Sequence, residues 1–244
     1  MTCNKAYRPF IFLLLLLAAQ RSHATWSIIV ADSATKMIGI AGASCTPSVY
    51  GIGAIAPGKG AIIVQAYSNG LAKLAGFQLI MKGATAPEVM RKIREENFSP
   101  ELQQYAVLCL NDIGHPLSYS GKENTTTVFT KTGYGIAVQG NTLVSTAVVE
   151  AAYDAALKAK QAGLPLQEIL MLAMEAGAKA GGDKRCGERK ASSAFLTVSK
   201  PGETDHHWLN IVVRQKDDTT PAVERLRKEY ENWKMGQKMV ARNR

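Results

Sequence analysis

The chain has few of the residues from which disulfide-rich folds and metal centres are built. It contains four cysteines and four histidines in 244 residues, and so few cysteines exclude a disulfide framework. Two of the histidines, His206 and His207, follow Asp205 in a polar segment, where adjacent side chains point in different directions. We interpret this pair as part of a solvated turn rather than a metal site. No metal and no cofactor are expected.

Two common functional signatures are also lacking. No Gly-x-Ser-x-Gly sequence occurs, so the nucleophile elbow of that class of serine hydrolase is absent. Gly53, Gly58 and Lys59 have the spacing of a phosphate-binding loop, but Gly60 stands where a Ser or Thr must bind magnesium. The residues that follow are strand-like, whereas such a loop leads into a helix. These glycines therefore predict tight turns between strands.

The first 24 residues show the three parts of a secretory signal peptide. Lys5 and Arg8 give a positive start, residues 10–19 are uninterruptedly apolar, and small residues precede the Ala24–Thr25 junction. The apolar run is too short to span a bilayer comfortably, so a retained membrane anchor is the less favoured alternative. We expect cleavage after Ala24 and an exported protein, either periplasmic or extracellular.

Without this leader the chain is moderately basic. The leader carries three cations and no acids, so the formal net charge falls from +9 to +6. Association with an anionic cell-envelope surface fits that charge. Nucleic acid is not expected as a partner, because no basic motif interleaved with aromatic residues occurs. We divide the chain into a signal peptide (1–24), one domain (25–216) and a C-terminal amphipathic helix with a basic tail (217–244).

The cysteines left after export are odd in number. Cys45, Cys109 and Cys186 allow one disulfide with one thiol left over. Cys45 could also be an exposed nucleophile, but no histidine partner is placed for it in the sequence. A buried and inert thiol is therefore the favoured interpretation of Cys45.

Strand-like segments at both ends of the chain enclose helical blocks. Helical spacing occurs over 71–96, with a break at 83–87, and again along two later stripes and one C-terminal helix beginning near Pro221. Strands and helices do not alternate as in a doubly wound fold, so an α+β class with largely antiparallel sheets is predicted. The predicted strands are 25–31, 37–43, 61–67, 104–111, 117–120, 125–130, 135–143, 192–199 and 208–214.

Four segments of the chain occur in the same order in a bacterial family, domain of unknown function 1028. They are 25–31, 65–69, 137–141 and 181–185. Over roughly residues 25 to 200 the chain resembles this family, which in turn resembles the N-terminal-nucleophile hydrolases. The resemblance implies a four-layer αββα sandwich of two mainly antiparallel sheets between helices, with the nucleophile at the tip of the first strand. It supplies no substrate.

The resemblance also implies a set of site residues. If Thr25 becomes the first residue, its hydroxyl is the nucleophile and its own amine is the base. An α-amine titrates near pH ~7.7–8.0, so part of it is unprotonated and can accept a proton around neutrality. Asn141, and Asn69 with it, would donate to the oxyanion. Asp183 and Arg185 would orient the amine or bind a charged substrate group. The expected substrate is a small amide or peptide-like molecule.

A purely structural or non-catalytic interpretation remains open for each of these features. Gln139-Gly140-Asn141 can be a plain turn, and Asp183-Lys184-Arg185 can be a charged loop. The whole protein can be a non-catalytic exported binding or structural protein that retains the fold, because a fold does not imply a function. A third, weaker alternative is self-processing that releases Thr25. Whether the chain forms a homo-oligomer is left open.

Overall fold

The computed structural model describes residues 25–124, 126–204, 206–216 and 219–242. The predicted signal peptide and its cleavage site upstream of Thr25 lie outside the described residues. Within the described part of the chain, no helix is long and apolar enough to cross a membrane. The class is α+β, as the sequence predicts.

The described residues form ten strands and five α-helices, with short 3-10 turns between some of them. The strands are β1 Thr25–Ala31, β2 Ile38–Ser44, β3 Gly53–Ala56, β4 Gly60–Ala66, β5 Gln103–Cys109, β6 Leu117–Ser120, β7 Phe129–Gly133, β8 Ile136–Asn141, β9 Ser193–Ser199 and β10 Leu209–Val213. The helices are α1 Gly70–Met81, α2 Ala86–Ile93, α3 Ala147–Gln161, α4 Leu166–Lys179 and α5 Ala222–Arg242.

All of these strands pair antiparallel in two sheets. The larger sheet has the order β10-β9-β2-β1-β8-β7, and the smaller has the order β3-β4-β5-β6. Strand β1 lies in the middle of the larger sheet, between β2 and β8. Its seven residues are all buried, which explains why the sequence reads as a nearly continuous apolar run.

Three apolar clusters hold the elements together. The first joins one face of the larger sheet to α3, α4 and α5, the second lies between the two sheets, and the third joins the smaller sheet to α1 and α2. Successive side chains of a strand point to opposite faces. In β1, Trp26 and Ile28 therefore belong to the first cluster, whereas Ile29 and Ala31 belong to the second.

The predicted strand at 125–130 is wrong. Strand β7 begins only at Phe129 and continues to Gly133, because the register with β8 pairs Phe129 with Gly140. Thr127 has a positive φ of 36°, which is incompatible with an extended strand. The segment therefore bends in spite of its β-branched residues. The carbonyl of Thr126 accepts a hydrogen bond from the amide of Thr142, which directly follows β8, at 2.6 Å.

Helix α5 is anchored by one buried stripe. Val223, Leu226 and Tyr230 are buried in the first cluster, as their helical spacing predicts. On its flank, Arg227 forms ion pairs with Glu175 at 2.7 Å and with Glu168 at 2.9 Å. These pairs tie α5 to α4, so the C-terminal helix is packed against the rest of the fold.

Candidate functional site

Thr25 begins the central strand of the larger sheet and is almost completely buried. In the antiparallel register it lies opposite Ser44 on β2 and opposite Asn141 on β8. Only 2% of Thr25 is exposed. Its carbonyl oxygen accepts a hydrogen bond from Gln65 Nε2 at 3.1 Å. The end of β1 is therefore held by both neighbouring strands and by the facing sheet.

Gln65, on β4, is the centre of a buried amide network that joins the two sheets. Its Oε1 accepts from Ser27 Oγ at 2.5 Å, and its Nε2 lies 2.8 Å from Gln104 Oε1 and 3.2 Å from Asn141 Oδ1. Since Asn141 accepts through Oδ1, its NH₂ group is directed away from Gln65. The network thus orients the Asn141 amide beside Thr25.

An ion pair between a buried carboxylate and a partly exposed guanidinium lies next to this network. Asp183 is completely buried, and its carboxylate accepts from Arg185 Nη2 at 2.8 Å and from Arg185 Nε at 3.1 Å. It also accepts from the backbone amides of Arg185 at 3.0 Å and Cys45 at 2.6 Å. Arg185 Nη2 lies 3.5 Å from Ser44 Oγ, and Ser44 is the cross-strand neighbour of Thr25. The predicted Asp183 and Arg185 are therefore brought to the Thr25 end of the sheet.

A disulfide fixes the segment that carries this ion pair. Cys45, which directly follows β2, is bonded to Cys186 in the 3-10 turn Lys184–Arg189. The interpretation of Cys45 as a lone buried thiol is therefore wrong. One disulfide with one thiol left over is the arrangement found in the described residues, with Cys109 buried and free. Burial raises the pKa of the Cys109 thiol to about 12.

Asn69 is placed differently from the other predicted site residues. It is the N-cap of α1, where its Oδ1 accepts from the amides of Leu71 at 2.9 Å and Ala72 at 3.1 Å. Its Nδ2 donates to the carbonyl of Phe98 at 2.9 Å. Both ends of this amide therefore contribute to capping and loop packing, and Asn69 does not join the Gln65 network.

A cavity of about 210 Å³ adjoins Thr25. Its walls come from Thr25, from the segment between β2 and β3, and from the end of β4. The ten described residues that line it have uncharged side chains. A group that reaches the Thr25 hydroxyl through this cavity meets hydroxyl and apolar surfaces, with the Asp183–Arg185 pair lying to one side, beyond Ser44.

Strained backbone is concentrated around the same end of the sheets. Ala66 and Ser68, which line the cavity, have φ values of 70° and 57°, and Thr142, directly after Asn141, has 52°. Lys190, whose carbonyl accepts from the Asp183 amide, has 61°. Such left-handed conformations are costly for residues other than glycine and cluster at functional sites. Their position is one reason to treat this region as the candidate functional site.

Sequence reasoning missed four polar contributors to the candidate site, namely Ser27, Ser44, Gln65 and Gln104. The signal for Ser27 is present in the sequence, because Thr25 and Ser27 alternate with Trp26 and Ile28 and so share one face of β1. Ser44 and Gln104 carry no comparable local signal, since their role depends on the pairing of distant strands.

The histidine pair lies elsewhere. His207 Nδ1 is 2.6 Å from Ser199 Oγ, and burial lowers the pKa of the His207 imidazole. In the described part of the chain, no group of three or more His, Cys, Asp or Glu side chains is arranged to hold a metal ion.

Comparison with known proteins agrees with the resemblance seen in the sequence. No curated protein matches the chain. The fold is similar to the crystal structure of protein SPO2555 from Silicibacter pomeroyi, described as a DUF1028 protein, with a TM-score of 0.72 and 21% identity over 86% of this chain and 85% of that one. The model of the family of unknown function DUF1028 matches residues 25–225 and begins at Thr25. The chain therefore belongs to the DUF1028 family.

Proposed function

We propose that this protein is an exported N-terminal-nucleophile amidohydrolase that uses Thr25 after removal of residues 1–24. The observation that carries the proposal is the position of Thr25. It is buried at the tip of the central strand, lines a cavity, and lies in register between Ser44 and Asn141. A hydroxyl needs only an adjacent base to become a nucleophile, and a free α-amine on the same residue supplies one.

The layering of the molecule supports the same assignment. The three apolar clusters lie between helices and sheet, between the two sheets, and between sheet and helices. This succession is what a four-layer αββα sandwich of the N-terminal-nucleophile kind requires. In that fold the nucleophile is at the start of the first strand, which is the place of Thr25 in β1.

The reaction begins when Thr25 Oγ forms a bond to the carbonyl carbon of an amide. The hydroxyl proton moves to the α-amine, which titrates near pH ~7.7–8.0 in an unperturbed chain. Collapse of the tetrahedral intermediate breaks the C–N bond, and the leaving nitrogen takes the proton from the α-ammonium. Water then attacks the ester, gives a proton to the α-amine, and releases a carboxylic acid as Thr25 Oγ is protonated again.

Two neighbouring groups assist this chemistry in our proposal. The Asn141 NH₂, oriented by the bond from Gln65 to its Oδ1, donates to the developing oxyanion. The Asp183–Arg185 pair, next to Ser44, orients the α-amine or binds a charged substrate group. Asn69 supports the site as the cap of α1 rather than as an oxyanion donor.

Export is part of the proposal, because it frees the amine of Thr25. The Cys45–Cys186 disulfide supports a periplasmic or extracellular location, since disulfides persist in oxidising compartments. The proposed substrate is a small amide or peptide-like molecule outside the cytoplasm. Association with the cell-envelope surface remains part of the proposal through the basic charge of the mature chain.

The first test is the mature N-terminus, read by mass spectrometry of the protein purified from an exporting host. We expect Thr25 as the first residue. Any other start, or an uncleaved leader, leaves the Thr25 amine in a peptide bond and refutes the mechanism.

The second test is labelling with an electrophilic acyl probe. We expect a Thr25 adduct in the wild type, a retained adduct in Thr25→Ser, and none in Thr25→Ala. Thr35→Ala removes an exposed threonine hydroxyl from the turn after β1 and serves as the matched control. A correct N-terminus without any adduct would favour the second candidate, a non-catalytic exported binding protein.

A further inference from the structure

The cavity beside Thr25 is small compared with pockets for drug-sized ligands. Its volume is about 210 Å³, whereas such pockets measure about 300–1,000 Å³. At about 30 Å³ for each water of liquid volume, it holds about seven waters. A substrate group with about as many non-hydrogen atoms fills it. The apolar part of the lining is Val49, which is buried, together with Ile52 and Ala66.

The wall formed by the segment between β2 and β3 is fixed at several points. The Cys45 end carries the disulfide, and the Pro47 carbonyl accepts from the Gln215 amide at 2.9 Å. The Thr46 carbonyl accepts from Ser192 Oγ at 2.9 Å, and the Ile52 carbonyl accepts from the amide of Val64 at 2.8 Å. A wall with so many attachments cannot move outward without breaking hydrogen bonds.

Tyr50 forms a partly exposed part of the cavity wall. Its ring packs edge-on against Phe195, with 5.8 Å between the ring centroids. Its hydroxyl accepts from Asn210 Nδ2 at 3.1 Å. The carbonyl of the next residue, Gly51, accepts a hydrogen bond from the Lys73 ammonium. The ring is therefore held in place although part of it is exposed.

In the reactive form of the proposed enzyme the Thr25 amine is neutral, and the described lining residues then offer no charge with which to pair an ionised group. The polar atoms of the lining are hydroxyls from Thr25, Thr46, Ser48, Tyr50 and Ser68, together with the Gln65 amide. An ionised group moved from water into this cavity would lose hydration without gaining a counter-ion, which is unfavourable. A neutral group loses much less.

We propose that this cavity is the acyl subsite of the enzyme and that it selects short, uncharged acyl groups. This inference rests on the proposed function. The acyl group stays on Thr25 Oγ through both chemical steps, so the partly enclosed space beside that hydroxyl suits it. The leaving amine must depart after the first step and is expected on the side open to solvent.

The test is a series of p-nitrophenyl esters with straight acyl chains of two to ten carbons. The protein is used with its N-terminus verified as Thr25, and acylation of Thr25 is followed by mass spectrometry. We expect the rate of acylation to fall at least ~10-fold between the four-carbon and the ten-carbon ester, equivalent to about 1.4 kcal/mol. Succinyl esters, which carry a carboxylate, are expected to react more slowly than butyryl esters of the same chain length.

Two variants enlarge the cavity and a third serves as control. Ile52→Ala removes apolar wall, and Tyr50→Ala removes a partly exposed part of the wall, so that a folding failure of the first variant leaves the second as a test. Both are expected to raise the rate with the ten-carbon ester relative to the four-carbon ester. Leu164→Ala, which removes a partly exposed apolar side chain between α3 and α4, is expected to keep the wild-type profile.

The outcomes separate this inference from the proposed function. Thr25 acylated at equal rates by all chain lengths overturns the acyl subsite but leaves the nucleophile in place. A second series keeps the acetyl group constant and uses leaving alcohols of increasing size. If the rate falls with the size of the leaving alcohol, the cavity holds the leaving group, and the inference is overturned. No acylation of Thr25 by any ester overturns the proposed function and the subsite with it.

Discussion

The Cys45–Cys186 disulfide closes most of the described chain into one loop, and its removal gives a quantitative test of the structure. The two cysteines are 141 residues apart in sequence. The chain-entropy relation gives a stabilisation of about 5 kcal/mol for a loop of this length at 25 °C, by restricting the unfolded state. Native disulfides in small secreted domains contribute about 2–5 kcal/mol, so the entropic value lies at the upper end of that range.

The perturbation is the double variant Cys45→Ala, Cys186→Ala, compared with the wild type by thermal unfolding. For a domain of this size, 1 kcal/mol corresponds to about 2–4 °C in Tm. We therefore expect Tm to fall by about 10–20 °C if the full ~5 kcal/mol is lost. Cys109→Ala, at the buried free thiol, serves as the control for replacing a cysteine that forms no cross-link.

Two results would refute this reasoning. If the double variant unfolds within about 2 °C of the wild type, the loop is not constrained in the way the structure describes. If a reductant destabilises the double variant as much as the wild type, the effect of reductant does not act through this disulfide.

We also expect the double variant to lose Thr25 labelling at temperatures where it is still folded, because the cross-link holds the turn that carries the Asp183 partner, Arg185.

Three further predictions concern ionisable groups. Asp183→Asn removes a buried carboxylate that accepts from two backbone amides and from the partly exposed Arg185 guanidinium, and we expect a loss of about 1–3 kcal/mol in unfolding free energy, measured by urea denaturation; an unchanged free energy of unfolding would contradict these contacts. Burial raises the pKa of Cys109 to about 12, so at pH 8 iodoacetamide should leave the native chain starting at Thr25 unmodified and label one thiol after denaturation; rapid labelling of the native chain would contradict this burial. Burial lowers the pKa of His207, so below about pH 6.5 the unfolded state binds the proton more readily and the folded state loses stability as the pH is lowered. The loss of stability between pH 7.5 and pH 5.5 should be smaller in His207→Gln than in the wild type, and equal losses would show that His207 is not responsible.

Much of the secondary structure could be predicted because it depends on local patterns. The strand at 25–31 matches β1, and the helix break at 83–87 separates α1 from α2, since Thr85 and Pro87 begin a new helix there. The tight turn predicted from the glycines after residue 50 is found at Gly58, between β3 and β4, whereas Gly53 and Gly60 are the first residues of those strands. Periodicity and helix-capping residues are sufficient for these features.

The site was predictable only in part, for a physical reason. The predicted cleavage site pointed to Thr25, and the resemblance supported it together with Asn141, Asp183 and Arg185. The structure places these four residues at one end of the larger sheet. Gln65 lay within a matching segment, but its function as the link between the sheets depends on how β4 faces β1 and β8. That packing is set by tertiary contacts, and local propensities carry no information about those contacts.

Asn69 illustrates the opposite case. An asparagine in a matching segment suggests an oxyanion donor, yet an Asn directly before a helical pattern is also a strong N-cap signal. The structure shows the capping contacts, with Asn69 Oδ1 accepting from two amides of the first turn of α1. Local backbone chemistry accounts for this residue before any function is invoked.

The amide of Gln65 has a consequence for how the protein reaches its final state. Its bonds to Ser27, Gln104 and Asn141 span 38, 39 and 76 residues of sequence. Contacts of this separation close long loops, and the chain entropy of each loop is lost before the contact stabilises the protein. No partly folded form that contains a single sheet can hold the full set. We therefore expect the ordered Thr25 site to require both sheets in place, so that a chain with incomplete tertiary structure does not present the proposed nucleophile in working geometry.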